Sequence, residues 1–457
     1  MPDVLATVAA AGLLLPSAYV AVLLAPEAQS GLFSRVVIGF AAYFGTAWLI
    51  PTIAVYTEKA GLCGRDLGKR YIPALRDKTV PEALGIVSAL AFLVCVILSQ
   101  CVDADSAQSQ ANYNSALASV CFMVLLGFMD DVLDLPWRAK LILPTIASLP
   151  LLVTYSGSTS VVVPVPLRTL FVDHIASKGS AIASLTTFGT LIDSIPFVTV
   201  DTAAQGAILE LGLFYLVYMG VLSVFCTNAI NIYAGINGLE AGQSYVIGCA
   251  MLFYCVLQVH LGSEDSAKYE FAATLILPFL GATLGLLKHN WHPSAVFVGD
   301  TYCYFAGMTF AVAGIHGHFT KPLWLFFIPQ LCNFVYSVPQ LFKVVPCPRH
   351  RLPDVLETPD FAKGDPKGGP KGQAVSLMVP SKFEVKPGAH VWLKALHGLP
   401  PSATKLPNFT LINLVLGWLG PTTERSLCLV LLALQALSCG LALLFRFSPA
   451  ASYLFDG

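Results

Sequence analysis

The sequence predicts an all-α polytopic membrane protein of about ten transmembrane helices, with a small mixed cytoplasmic subdomain between the last two. Three observations carry that expectation. Hydrophobic residues make up 56% of the 457 residues and charged residues only 12%, where a soluble domain carries about 25% charged. Apolar stretches repeatedly reach the roughly 20 residues that a helix needs to cross the hydrocarbon core. The polar residues between them gather on one side. Lys+Arg 26 against Asp+Glu 27 leaves a formal charge of -1, so there is no basic footprint for a phosphate backbone and no nucleic-acid partner is expected. The 12 Cys fall mainly in apolar stretches, Cys95, Cys121, Cys226 and Cys303 among them, with no CxxC pair. They read as small buried hydrophobes, not as disulfides or zinc ligands.

Residues 1–30 form an apolar N-terminal extension; its stretch 4–26 has no preceding Lys or Arg, hence no positive n-region, and is either an extra span or a leader. Residues 31–345 hold the membrane core, 346–410 a cytoplasmic loop or subdomain, and 411–457 the last span and tail. The spans are 36–57, 83–102, 106–129, 141–163, 211–227, 244–263, 271–287, 301–320, 322–342 and 426–445. Successive spans alternate direction, so loops 58–82, 130–140, 228–243, 288–300 and 343–425 share one side. They carry 20 of the 26 Lys and Arg, which makes that side cytoplasmic by the positive-inside rule. On the other face, 168–210 is rich in Ser, Thr and Ala and reads as a mobile lumenal insertion, centred near 171–207. In the last loop, 364–372 is a Gly-, Pro- and Lys-rich flexible linker, and 375–379 and 383–385 are candidate short strands. Asn408-Phe409-Thr410 matches a glycosylation sequon, which cytoplasmic placement would leave unmodified.

Four segments on the expected cytoplasmic face carry the chemistry. In 127–140, Asp130 and Asp131 are adjacent; if the third span continues as a helix, Asp134 shares the face of Asp130 and Asp131 points about 100° away. Such close carboxylates repel unless a cation is present. The segment is either a solvated helix end paired with Arg138 or Lys140, or a site that organises a divalent metal or phosphate. In 228–243, Asn228 and Asn231 lie at i, i+3 and Asn237 follows a Gly turn. Amide oxygens, with one or two carboxylates and substrate phosphates, suit Mg2+, although each Asn alone also reads as an interhelical hydrogen bond or a cap. Asp300, in Val-Gly-Asp-Thr at the start of the eighth span, could meet Asn231 and the Asp130 cluster across the bundle. His289 and His292 have no third ligand of suitable spacing except Asp300, which disfavours zinc. Arg349, His350 and Arg351 form a compact donor cluster that matches a pyrophosphate, or a basic turn near anionic lipid.

Gly-Phe-x-Asp-Asp-Val-Leu, Asn-Ala-Ile-Asn-Ile-x-Ala-Gly-Ile-Asn-Gly-Leu-Glu-Ala-Gly-Gln, Val-Phe-Val-Gly-Asp-Thr and Pro-Cys-Pro-Arg-His-Arg occur here in that order. Together they resemble the eukaryotic UDP-GlcNAc:dolichyl-phosphate GlcNAc-1-phosphotransferases, of the polyprenyl-phosphate hexosamine-1-phosphate transferase superfamily. The resemblance runs from about 31 to 455, apart from the insertion and the divergent stretch 352–400. It implies ten transmembrane helices in the endoplasmic reticulum membrane, a homodimer, a cytoplasm-facing site, Mg2+, block by tunicamycin, and UDP-GlcNAc and dolichyl phosphate as substrates. Carried over residue by residue, it implies Asn231 and Asp300 as Mg2+ ligands and Arg349 as a diphosphate contact. His350 and Arg351 would lie near the GlcNAc N-acetyl group, Leu67, Glu82 and Phe297 near the uridine, Asn237 in the nucleotide loop, and Lys140 on the polyprenyl phosphate. Asp130 and Asp131 would organise the metal and Lys140 rather than abstract a proton, since a phosphate monoester with a second pKa of about 6 is largely deprotonated near pH 7. Asp134 departs from the Asn of animal members. A nucleotide-sugar carrier would need polar groups near the midplane and repeats between halves, which the sequence lacks. A bacterial-type transfer of phospho-MurNAc-pentapeptide is disfavoured by Pro-Cys-Pro-Arg-His-Arg.

Overall fold

The structure, a computed structural model, describes residues 10–455 apart from 25, 71, 73–74, 104–105, 137, 178–179, 202–207, 349–350, 357–375 and 389. The chain opens with α1 (Leu15–Val22) and α2 (Pro26–Lys59). The expected first span is longer than its apolar run because Arg35 lies inside α2, accommodated by Glu270 at 3.5 Å. Strands β1 (Cys63–Arg65) and β2 (Thr79–Pro81) pair antiparallel in the loop that follows. Then come α3 (Gly85–Asp103), α4 (Ala107–Leu133), α5 (Ala139–Ala147) and α6 (Leu149–Val153).

The described residues of 160–210, which include those of the stretch read as a mobile insertion, form regular elements. These are β3 (Ser160–Val162), α7 (Val165–Phe171), the hairpin β4 (Val172–Ser177) and β5 (Ser180–Leu185), α8 (Thr187–Asp193), β6 (Thr199–Val200) and β7 (Ile208–Glu210). Three of the strands form a sheet in the order β3-β7-β6. The bundle continues with α9 (Leu213–Ile232), α10 (Leu239–His260), α11 (Ser266–Asn290), α12 (Gly299–His316), α13 (Thr320–Phe326) and α14 (Ile328–Leu341).

The protein is a polytopic membrane protein. Among the described residues six helices are long and apolar enough to cross a membrane, namely α2, α4, α9, α10, α11 and α17 (Glu424–Arg446). The expected second and fourth spans appear as shorter apolar helices, Gly85–Cys101 and Ala139–Val153. The expected ninth is split between α13 and α14, where Pro329 begins a new helix because its ring nitrogen has no N–H to give the preceding turn. The last stretch, expected as one span and a tail, holds α16 (Leu411–Leu419) ahead of α17 and α18 (Pro449–Phe455) after it. Gly420 at φ +73 and Pro421 end α16.

Outside the bundle, β8 (Asp354–Val355), β9 (Leu377–Val379) and β12 (Thr422–Thr423) form one sheet with β9 central, and β10 (Lys382–Glu384) pairs with β11 (Lys405–Pro407). The candidate strands 375–379 and 383–385 thus appear as β9 and β10, shifted slightly, with α15 (Val391–Leu396) between the paired strands. The linker 364–372 lies outside the described residues. This region has its own core of Val345, Phe383, Val385, Leu393, Leu406 and Phe409. Asn408 of the sequon is buried there and bonded to Gln340 and Ser381, a barrier to glycosylation independent of sidedness.

Helix α12 is the centre of the bundle. Every residue from Thr301 to His316 is buried, as expected of a helix that is apolar all round. It packs against α3, α4, α9 and α11. Such proximity needs small residues at the crossings. A Cβ on Gly127 of α4 would lie 2.7 Å from Thr301 Cα, and one on Gly307 would lie 2.4 Å from Thr227 Cα on α9. The expectation of buried cysteines fails at Cys101, Cys121, Cys332 and Cys347, which are exposed, whereas Cys95, Cys226, Cys249, Cys255, Cys303, Cys428 and Cys439 are buried.

Gly307→Val should therefore force α9 and α12 apart and cost about 1–3 kcal/mol or more, as overpacking does. Thermal melting in detergent should show a lowered Tm, whereas Gly440→Ala, where a Cβ meets nothing within 4 Å, should leave it unchanged.

Candidate active site

Helix α4 stops at Leu133 because Asp134 adopts the left-handed conformation, φ 50, and its N–H donates to the Asp130 carbonyl. This overturns the expected shared face: Asp134 turns away from the Asp130 carboxylate and is exposed. Asp130 itself is buried, accepting from Leu135 N–H at 3.0 Å and the Tyr304 hydroxyl at 2.9 Å, and pairing with Lys140 Nζ at 2.8 Å.

Asp131 points to the start of α12. Its Oδ1 accepts the Asp300 N–H at 2.6 Å, and its Oδ2 accepts the Thr301 N–H at 3.1 Å and the Thr301 hydroxyl. A helix N-terminus has unpaired N–H donors and a partial positive charge, so a carboxylate borrowed from another helix satisfies both. The approach requires Gly299, at φ +75, where a Cβ would stand 2.3 Å from Asp131 Oδ2. Held in this way, Asp300 pairs with Lys140 at 2.8 Å, so one ammonium joins Asp130 and Asp300. Asn228 Nδ2 donates to the Lys140 carbonyl at 3.1 Å and fixes the start of α5 against α9.

One turn beyond Asn228, Asn231 faces a cavity of about 330 Å3 whose wall also includes Asp300. Its carboxamide bonds to no described residue. Leu67, Glu82, Asn237 and Phe297 line the same cavity. Burial and then the nearby Asp300 raise the Glu82 pKa. The structure thus brings together residues from all five loops assigned to one face: 65–68 and 82, 130–140 behind Asp300, 231–240, 290–300, and Leu352, Met378 and Glu424 from the last. Asp130, Asp131 and Lys140 are not on the wall; they stand behind it. Arg349 and His350 lie outside the described residues. Arg351 is not on the wall, though Leu352 and Pro353 after it are; its carbonyl accepts from Asn413 Nδ2 at 3.0 Å. His289 Nε2 meets the Ala47 carbonyl at 3.1 Å, and His292 stands 3.6 Å from Glu424.

Among the described residues no three His, Cys, Asp or Glu side chains gather as a metal cage. The oxygens of Asn231 and Asp300 remain as a pair on the cavity wall, with 27% of the Asp300 side chain exposed. Sequence reasoning did not single out Asp66, Lys69 or Glu424, which form a buried ion cluster at this cavity. In the sequence Lys69 is one of six Lys and Arg in its loop and looks like a solvated charge; nothing in spacing relates it to Glu424, 355 positions away.

A family model described as glycosyl transferase family 4 matches residues 113–318. A Dictyostelium discoideum protein named UDP-N-acetylglucosamine--dolichyl-phosphate N-acetylglucosaminephosphotransferase is 42% identical over 433 residues, 90% of this chain and 87% of its own length. Proteins of the same name from Schizosaccharomyces pombe and Saccharomyces cerevisiae are each 37% identical, covering 93% of this chain and 94% and 93% of their own lengths.

Proposed function

The chain belongs to the family of UDP-N-acetylglucosamine--dolichyl-phosphate N-acetylglucosaminephosphotransferases, and on that premise we propose that it transfers GlcNAc 1-phosphate from UDP-GlcNAc to dolichyl phosphate, giving GlcNAc-diphosphate-dolichol and UMP. The observation that carries this reading at the level of residues is the pair Asn231 and Asp300, delivered by separate helices to one cavity. A carboxamide without a partner and a partly exposed carboxylate are hard oxygen donors, and with no metal cage of three His, Cys, Asp or Glu among the described residues they suit Mg2+, which usually takes its remaining oxygens from phosphate and water. Bound there, Mg2+ would neutralise charge on the donor diphosphate.

The chain's own residues do the rest. Lys140, between Asp130 and Asp300, offers its ammonium to the acceptor phosphate, and Asp130 keeps it in place. Asp131 holds Asp300 rather than removing a proton: both of its oxygens are occupied by donors from α12, and the acceptor needs no strong base. The oxygen displaced from the β phosphorus leaves as UMP. Leu67 and Phe297 give the wall apolar surface for the uracil, with Glu82 beside them for the ribose. Arg349, His350 and Arg351 complete the reading as contacts to the diphosphate and the N-acetyl group, where guanidinium forks match phosphate oxygens.

The same reading takes α3, α5 with α6, α12, and α13 with α14 as the four further crossings of a ten-span homodimer in the endoplasmic reticulum membrane. Its site faces the cytoplasm, supported by 20 of 26 Lys and Arg on five loops, four of which line the cavity while the fifth stands behind Asp300. A carrier is disfavoured because Asp131, Asn231 and Asp300 stand at helix ends, not in mid-span.

Membranes given UDP-GlcNAc labelled in the β phosphate, plus dolichyl phosphate, should place label in lipid with release of UMP, require Mg2+ and be blocked by tunicamycin. Uptake of the intact nucleotide sugar without UMP would contradict the proposal. Asp131→Asn turns an NH2 toward N–H donors and should lower turnover by about 10- to 100-fold, as loss of a ligand's supporting partner does. Raising the pH from 7 to 9 should not restore it; recovery would make Asp131 the base.

A further inference from the structure

We propose that Lys69 is a positioning residue for the nucleotide donor, fixing the 234–238 loop through Asn237; this rests on the transferase reading above. Lys69 is 2% exposed and absent from the cavity wall, whereas its partners Asp66, Asn237 and Glu424 are on it. Its ammonium is shared among Asp66 Oδ2, Asn237 Oδ1 at 2.5 Å and Glu424 Oε2 at 2.9 Å, one partner for each of its three N–H donors.

Asn237 is the keystone of the cluster. Its Oδ1 also accepts the Ser294 N–H at 3.0 Å, its Nδ2 donates to Asp66 at 3.1 Å, and its backbone N–H donates to Glu424 Oε1 at 2.8 Å. These bonds fix the Asn237 side chain within the cluster, and the loop residues Ala234, Gly235, Ile236 and Asn237 share the wall with Leu67 and Phe297. The cluster ties together four of the converging loops, at positions 66 to 69, 237, 294 and 424. A buried lysine with two carboxylates persists only where geometry satisfies every charge, so the loop has one well-defined setting. A wall set before the ligand arrives spares the ordering cost of binding. In ground state and transition state the donor's base and ribose make the same contacts, so this setting belongs in KM and not in kcat.

The test uses the full-length chain in lipid-containing micelles, as Lys69→Met and as the double variant Lys69→Met, Glu424→Gln. The double change removes one of the two carboxylates that the single change strands, and so provides folded protein if the single variant does not fold. In the folded variant, KM for UDP-GlcNAc should rise about tenfold or more while kcat and KM for dolichyl phosphate stay within about threefold, the pattern of lost uniform binding. Binding of UMP, measured directly by calorimetry, should weaken in parallel. Folded variant with unchanged KM for UDP-GlcNAc and unchanged UMP binding overturns the proposal, as does a fall in kcat with both KM values shifted together. Absence of transfer by the unmodified chain would sink the transferase reading instead, and UMP binding would still decide the role of Lys69.

Discussion

The site depends on one carboxylate gripping the end of another helix. Asp131 leaves the C-terminal turn of α4 and accepts three hydrogen bonds from the first turn of α12. That contact sets where Asp300 stands, hence where Lys140 is drawn, and hence how Asp130 is paired. The helix dipole and the unpaired N–H groups make the N-terminus of α12 a fitting place for a negative side chain, and Gly299 leaves room for it. Close crossings at Gly127 and Gly307 bring α4 and α9 against α12, so the packing of the bundle and the polar geometry at its end are a single arrangement.

The cavity is also an electrostatic puzzle with a physical answer. Asp66, Glu82, Glu240, Asp300 and Glu424 all line it, against Arg65 alone among the wall's described cations. An anionic donor would be repelled by such a wall unless its charge were met locally. The structure divides the burden. Lys69 offsets one of the two charges of Asp66 and Glu424, Lys140 one of the two of Asp130 and Asp300, and burial raises the Glu82 pKa toward its neutral form. What is left unspent is oxygen donor capacity at Asn231 and Asp300, the chemistry of a hard divalent cation.

Much of this was legible in the sequence. Apolar run length located the long helices, and loop charge grouped five loops on one side, four of which line the cavity while 130–140 stands behind Asp300. Asn231 and Asp300, Asp131 and Lys140 were visible as polar residues at span ends, where hydrocarbon makes polarity expensive. The failures have equally physical causes. The shared face of Asp130 and Asp134 is conditional on a helix that continues past Leu133, but Asp134 tolerates the left-handed conformation and ends it. Cys121 is as apolar as the buried cysteines, so composition gave no sign that it faces outward. The breaks between α13 and α14 and before α17 follow Pro and Gly that a hydropathy count passes over. The Lys69 cluster was invisible because Lys69 and Asp66 are remote in sequence from Asn237 and Glu424, and only folding sets them side by side.

The central claim is that Asn231 and Asp300 hold a divalent cation against the donor's phosphates, with Asp131 setting the position of Asp300. Electron paramagnetic resonance of Mn2+ substituted for Mg2+ in the full-length protein with UDP-GlcNAc tests it most directly. The account predicts bound Mn2+ with hyperfine coupling to phosphate 31P, and loss of that signal in Asp300→Ala and in Asn231→Ala. Equal Mn2+ binding and equal 31P coupling in both variants would contradict it.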